Sequence, residues 1–398
     1  MSAVGIVSEY NPFHNGHAYN IEEARRVSGR ENVIVAMSAS FTQRGEPACF
    51  DKFTRAAHAL KGGADMVIEI PDVLSCACAE RFCAAGVRLL AATGLVDSIA
   101  FGSECGDIAR LTQLSEMSID EDAIRAELKR GVSYPKAISN VMLAGEDGSG
   151  DILPNDILAV EYLRALKKYA QGIRPFAVKR VGAGYNSDSL SEEYAAASAI
   201  RASVSRGDIP SVKEHIPGFV YEDMLSGTES GSFPAALDSL ACALIYKLRT
   251  LGISGIARLA DVSEGLERVI YRSALEARNA GELLRGIKSK RYSLARIRRI
   301  LCYALLGTDK ALQCRAATDD GSIYIRVLGV KKDRVHLLSE LAERSKLPVI
   351  KKLSDADRLT SGAHEVLEHT RKASLIRALA CPVSRRCDDD FSARLITV

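Results

Sequence analysis

No stretch of about 18 uncharged apolar residues occurs in this chain, so no membrane-spanning helix is expected. The longest candidate, residues 73–96, is broken by Glu80, Arg81 and Arg88. No amino-terminal targeting segment shows either: the apolar run 3–7 follows no basic region and leads straight into polar motif residues. Both absences point to a soluble, cytoplasmic protein. Internal repeats and low-complexity tracts are missing too, which argues against a solenoid or a disordered chain. Ten cysteines are present, yet none pairs as C-x-x-C or meets a histidine at zinc-ligand spacing. Cys76, Cys78 and Cys83 cluster, and Cys381 and Cys387 have five residues between them. Most of the ten sit in apolar, alanine-rich segments, where a free thiol acts as a small buried hydrophobe. Reduced thiols and no structural metal are expected.

What is present is ordinary globular material: 47% hydrophobic and 26% charged residues over 398 positions, enough for two or more domains. The net charge is +3, but residues 283–353 hold 17 Lys/Arg against 6 Asp/Glu, a local net of +11 that leaves −8 on the rest. Such asymmetry points to a polyanion that meets one region, nucleic acid foremost.

The first two hundred residues alternate short apolar runs with longer amphipathic stretches. Strands are expected at 3–8, 32–37, 66–70, 98–102 and 176–180, with helices at 17–28, 51–62, 78–93, 108–117 and 156–169. Such alternation predicts an α/β fold, a parallel sheet covered by helices on both faces. Residues 182–190 read as a Gly/Ser-rich loop before a helix over 191–205. Gly207, Pro210, Pro217 and Gly218 punctuate a boundary, so the domains are expected at 1–206 and 219–398. The second reads as mainly helical from 234 to 306, with a small α/β tail of strands 322–328 and 347–350 around a helix at 334–344.

The strongest chemical signal is Gly5-Ile-Val-Ser-Glu-Tyr-Asn-Pro-Phe-His-Asn-Gly-His17. A strand ends near Ser8, Pro12 sets a turn, and a helix opens around Gly16. Helix starts offer free N–H groups and a positive dipole end, so they attract phosphate. Gly16 lets backbone or ligand come close. His14 and His17, three apart, can lean on one phosphate group and donate to charge that develops there. They are the candidate catalytic pair.

This stretch resembles the HxGH signature of adenylyltransferases and class I aminoacyl-tRNA synthetases, which implies a Rossmann-like nucleotidyltransferase sheet. The fuller pattern is similar to one family, the bacterial tRNA(Met) cytidine acetate ligases. It is carried by residues 5–17, 40–48 (Ser-Phe-Thr-Gln-Arg-Gly-Glu-Pro-Ala), 101–104 (Phe-Gly-Ser-Glu), 154–158 with Glu161 and Tyr162, 179–185, and 197–201 (Ala-Ser-Ala-Ile-Arg). That family usually has Gly-Asn before the position of Phe41, where this chain has Ala39 and Ser40.

The resemblance implies two steps: acetate attacks the α-phosphate of ATP, and the acetyl group then passes to N4 of the wobble cytidine of elongator tRNA(Met). It also implies ATP binding by Val7, Ser8, Glu9, Tyr10, Asn11, Pro12, Phe13, His14, Asn15, Gly16, His17 and Asn20, and by Gly102, Asn155 and Arg180. Gly102 falls where a strand runs out, the usual ligand side of an open α/β sheet. Asn155 either caps a helix or reads a base or ribose. Arg180 either grips a phosphate bidentately or makes a surface salt bridge. Ser198 and Arg201 resemble the late Ser/Thr-x-x-Ile-Arg element, which opens a helix beside the triphosphate. Lys52 and Arg55 are weaker candidates that more often would be just a solvated face. Mg²⁺ is expected to accompany ATP.

Residues 285–299 contain seven basic side chains and no acid. On a helix, Leu294, Ile297, Leu301 and Ala304 would face a core, with Tyr292, Arg296, Arg299 and Tyr303 on another stripe. Lys288, Lys290, Arg291, Tyr292, Arg296 and Arg299 are the candidate tRNA contacts, since cations beside aromatics suit phosphates and stacked bases. A solvated basic face is the alternative. Two further functions remain open: a small-molecule adenylyltransferase for nicotinate mononucleotide or phosphopantetheine, and a non-catalytic nucleotide-sensing RNA binder. The sequence carries no mark of an oligomeric state.

Overall fold

The structure is a computed structural model, and it describes all residues except 1, 118–119, 131, 133, 143–151, 182–189, 191–193, 264, 290–291, 319, 384–389 and 391–392. The loop expected at 182–190 and the candidates Lys290 and Arg291 therefore fall largely or wholly outside the described residues.

Strands β1 (Ala3–Ser8), β2 (Asn32–Ser38), β3 (Met66–Ile70), β4 (Val96–Ser103) and β5 (Arg174–Lys179) run parallel. β1, β2 and β3 are near-continuous apolar runs because both faces are covered, whereas β5 at the edge is only partly buried. In β2, Val33, Val35 and Met37 enter one hydrophobic cluster, and Ile34 and Ala36 enter the other. Helices Asn15–Ser28 and Lys52–Lys61 cover the first face, and Ala79–Ala92 and Pro154–Tyr169 the second. The expected α/β alternation is realised, with element ends shifted by a few residues.

The sheet order is β5-β4-β1-β2-β3-β6-β7. Here β6 (Ile325–Val330) lies antiparallel to β3, while β7 (Val349–Ile350) and β8 (Ile396–Thr397) both pair with β6. This corrects the expected layout: the late strands do not form a tail on the helical region but extend the first sheet. Lys52 on one helix, Glu69 on β3, Arg326 on β6 and Asp390 seal the join, with Lys52 Nζ 2.6 Å from Glu69 and 2.7 Å from Asp390. Arg326 lies 2.6 Å from Asp390. Hydropathy cannot show such a connection, because buried opposite charges on distant segments reveal their pairing only in space.

Residues 207–218 do not separate one core from another either. Ile209, Val212, Ile216, Val220 and Met224 are buried in the same cluster as Val4 and Ile6 of β1. The Gly/Pro punctuation marks a turn there, and helix Gly218–Glu229 packs back on the first unit.

Helices Ala241–Arg258, Leu266–Glu276, Ala280–Ile287 and Leu294–Leu306 bury a third cluster, joined by Ala373 and Ala380 from the end of helix Ser361–Leu379 and beyond it. That last helix escapes a periodicity reading because Ala363, Val366, His369, Thr370, Ala373 and Arg377 are all buried, which leaves no single apolar stripe. The helical stretch Leu237–Arg258 is long and apolar enough to cross a membrane by length and composition. However, Gly252 interrupts it at φ 61°, and Leu244, Leu248 and Ile256 are committed to the core.

Candidate active site

Strand order reverses between β1 and β4, and ligands of open α/β sheets bind in the crevice beyond such a point. A cavity of about 230 Å³ opens there. Its walls are the ends of β1, β4 and β5, the starts of helices Asn15–Ser28, Pro154–Tyr169 and Ala197–Ser205, and the loop bearing Gln43 and Arg44.

The first loop divides its residues between lining and support. Val7, Ser8, Glu9, His14, Gly16, His17 and Asn20 line the cavity, as do Gly102, Asn155, Arg180, Ser198 and Arg201. Tyr10, Asn11, Pro12, Phe13 and Asn15 do not. Tyr10 and Phe13 are buried, and their rings meet edge to face at 5.0 Å. Asn11 Oδ1 accepts the Cys49 N–H at 2.8 Å, and Asn15 Nδ2 donates to the Glu214 carbonyl at 2.9 Å. Asn11–Pro12 is a cis peptide, and Tyr10 stands in the left-handed region at φ 47°. These five shape the turn beneath the cavity and do not line it.

His14 caps helix Asn15–Ser28, and its ring stacks on that of His17, with centroids 3.7 Å apart. Burial, with Arg180 and Arg201 nearby, pulls the His14 pKa down to about 3. Burial and then His14 hold His17 well below the ordinary imidazole value. Both rings are therefore neutral at pH 7. The His14 N–H donates to His17 Nδ1 at 3.3 Å, so a neutral His17 carries its proton on Nε2 as a donor. His14 Nδ1 is buried and has no partner among the described residues. A Cβ on Gly16 would stand 3.0 Å from the His14 ring, so any larger residue would push the ring by a few tenths of an ångström.

Positive groups converge from the end of β5 and from helix Ala197–Ser205. Arg201 donates to the Asn11 carbonyl at 2.7 Å and lies 3.7 Å from Glu46. Arg180 directly follows β5, and burial lowers its pKa. Ala196, Ala197 and Ser198 bring the start of a helix with no acidic residue in its first turn. Among the described lining residues Glu9 is the one carboxylate; burial raises its pKa, against the pull of the Gln43 N–H at 2.6 Å and of Arg44.

Gln43 and Arg44 received no role from the sequence. Their signal was there to read: a polar Thr-Gln-Arg-Gly-Glu run just past the end of β2, on the ligand side of the sheet. Lys52 and Arg55, weaker site candidates that read more often as a solvated face, are both buried. Arg55 donates to the Glu9 carbonyl at 2.6 Å and to the Ala39 carbonyl, so it holds the floor of the site. Ser40 is turned away from the cavity, its Oγ 3.0 Å from that of Ser374.

The basic stripe is partly structural. Arg299 is buried, 3.1 Å from the Asp261 carboxylate, and it donates to the Gln43 carbonyl at 3.3 Å. Tyr303 is buried against the same Asp261. Neither is free to meet RNA, which corrects the expectation for Arg299. The period-3.6 reading separated this stripe from the core, but loop 42–46 and Asp261 cover it. Leu294, expected inward, is exposed at the helix start. Arg296 stacks on Tyr292 at 4.9 Å and donates to the Asp261 carbonyl at 2.8 Å, and Lys288 is exposed.

The HIGH Nucleotidyl Transferase family model matches residues 1–389. The chain is 39% identical over 405 residues to the tRNA(Met) cytidine acetate ligase of Thermoanaerobacter sp. (strain X514), covering 100% of both chains. Its identity to that of Clostridium perfringens (strain ATCC 13124) is 34% over 408 residues, 98% of each. Thermotoga maritima TmcAL superposes in its apo crystal form with TM-score 0.91 at 30% identity, over 100% of both chains. The same protein bound with alpha-thio ATP gives 0.89, over 100% of this chain and 99% of that one.

Proposed function

The chain belongs to the tRNA(Met) cytidine acetate ligases within the HIGH nucleotidyl transferase family, and from that premise we infer an ATP-dependent ligase that acetylates the wobble cytidine of elongator tRNA(Met). One observation carries the chemistry: two stacked neutral imidazoles stand at a helix start, in a cavity where Arg180, Arg201 and a second helix start converge.

In the first step a carboxylate oxygen of acetate forms a bond to the α-phosphorus of ATP, and the bond to pyrophosphate breaks. Negative charge grows on the α-phosphate oxygens. A neutral imidazole N–H, such as that on His17 Nε2, donates to this charge without repelling an incoming proton donor or cation. The departing pyrophosphate carries more charge than it did within ATP. Arg201 and the free N–H groups at the start of helix Ala197–Ser205 are suited to hold it. In the second step N4 of cytidine attacks the acetyl carbonyl, AMP leaves, and N4 loses a proton.

Mg²⁺ would supply further charge neutralisation on the triphosphate. The protein offers it little of its own: among described lining residues the one carboxylate, Glu9, already accepts from Gln43, so phosphate oxygens would be its main ligands.

The tRNA is best received on the face that carries Lys288, Tyr292 and Arg296. This face adjoins the ATP cavity, because loop 42–46 lines the cavity with Gln43 and Arg44 and packs under helix Leu294–Leu306. A cytoplasmic setting supplies all three substrates. The deciding experiment is mass spectrometry of tRNA incubated with the protein, ATP and isotopically labelled acetate. Labelled N4-acetylcytidine is expected, and its absence alongside acetate-dependent pyrophosphate release would assign the second step to another acceptor.

A further inference from the structure

The end of β4 and the start of helix Pro154–Tyr169 are locked by an exchange between two carboxylates. Glu104 accepts from the backbone N–H of Asn155 at 3.2 Å and of Asp156 at 2.9 Å. Asp156 answers by accepting from the Ser103 hydroxyl and from the Glu104 N–H at 2.9 Å. Each carboxylate thus satisfies free N–H groups of the other's segment. Glu104 also takes a third bond, from Asn155 Nδ2 at 2.6 Å.

That third bond decides what Asn155 can offer a ligand. An ionised carboxylate only accepts, so the amide must turn its nitrogen toward Glu104. Oδ1 then points the other way, with no protein donor on it among the described residues, and Asn155 stands on the cavity wall. It does so among Leu158, Tyr162 and Phe101, the apolar lining where a base would lie, whereas His14, Arg44 and Arg201 suit the phosphates. An acceptor fixed at this place matches the 6-amino group of adenine and opposes the 6-oxo group of guanine or hypoxanthine.

We propose that Glu104 is a positioning residue for nucleobase selection: it holds the Asn155 amide so that only Oδ1 faces the purine 6-position, admitting 6-amino and rejecting 6-oxo triphosphates. The proposal rests on the ATP reading above. Glu104 touches no nucleotide; it acts through Asn155.

Calorimetric titration of the full chain with ATP and with inosine triphosphate, beside thermal melting, tests it. The wild type is expected to prefer ATP by roughly tenfold to a hundredfold, the discrimination of one amide–purine pair. Glu104→Gln lets the two amides pair in either sense, so the preference should shrink to about threefold or less. Asn155→Ala should abolish it. Equal weakening of both nucleotides in Glu104→Gln, with the ratio intact, would show a purely structural cap and overturn the proposal. So would a wild type indifferent to the two nucleotides. Should Glu104→Gln fail to fold, Asn155→Ala carries the test, because it leaves the backbone bonds to Glu104 in place: a retained ratio refutes and a lost one supports. A wild type that binds neither nucleotide overturns the ATP reading itself, and this proposal with it.

Discussion

Gly45 is the point at which the ATP site and the basic helix bear on one another, and Gly45→Ala is the substitution that most directly tests this. The residue sits at φ +77°, in a turn closed by its N–H to the Thr42 carbonyl at 3.0 Å and by the Thr42 N–H to the Glu46 carbonyl at 2.9 Å. A Cβ there would lie 2.3 Å from the Arg299 nitrogen and 2.5 Å from the Arg298 carbonyl carbon. Both are backbone atoms within a helix, so no side chain can swing aside. The left-handed backbone costs an alanine about 1–2 kcal/mol, and the overlap costs about 1–3 kcal/mol more. Relief requires the loop or the helix to move by about 1 Å, on the scale at which misplaced groups lose roughly a hundredfold in rate. The loop carries Gln43 and Arg44 into the cavity, and the helix carries Arg296. We expect a melting temperature lowered by several degrees, adenylate formation reduced by about tenfold, and transfer to tRNA reduced by about a hundredfold. Pyrophosphate release without tRNA measures the first step, and mass spectrometry of the tRNA measures the second. A variant that melts with the wild type and runs both steps within about twofold would refute the claim that this contact joins the two sites.

His17→Ala should lower adenylate turnover by roughly a hundredfold with a smaller change in the Michaelis constant for ATP, the mark of a donor used chiefly in the transition state. Because burial holds the His14 pKa near 3 and His17 well below 6.5, neither should put an inflection near pH 6.5 into the turnover profile. In the unfolded chain both would titrate near 6.5. Their contribution to stability is therefore full above that pH and lost as pH falls toward about 3, which melting curves at graded pH will show. Arg299→Ala leaves the largely buried Asp261 carboxylate with the Tyr303 hydroxyl but without its cation, and should cost about 3 kcal/mol of stability, read as a shifted denaturation midpoint. Lys288→Ala, by contrast, should leave melting unchanged, weaken tRNA binding, and reduce its salt slope by about one.

The Gly5 to His17 segment was legible in the sequence because it joins strand, turn and helix within a few residues. Local propensity and helix-end electrostatics mark it without any tertiary information. The same holds for β1, β2 and β3, whose near-continuous apolar runs announce burial on both faces. Division of labour inside the segment was not legible. Tyr10 and Asn11 carry polar groups as promising as those of Ser8 and Asn20. Which ones face the cavity depends on a turn that the Cys49 N–H and the Arg55 guanidinium hold in place from elsewhere in the chain.

By itself, then, the sequence determined the α/β class, the helix start that attracts phosphate, and the concentration of positive charge between residues 283 and 353. These depend on period, composition and neighbours a few positions apart. Tertiary structure alone decided that β6 closes the first sheet beside β3 and that residues 209–224 belong to the first core. It also turned Arg299 into a buried ion-pair partner and Glu104 into the holder of Asn155. The pairings among these join positions 38 residues apart for Arg299 and Asp261, 51 for Asn155 and Glu104, and about 260 for β3 and β6. A side chain's chemistry is written at its own position, but its partner is chosen by the packing of the whole chain.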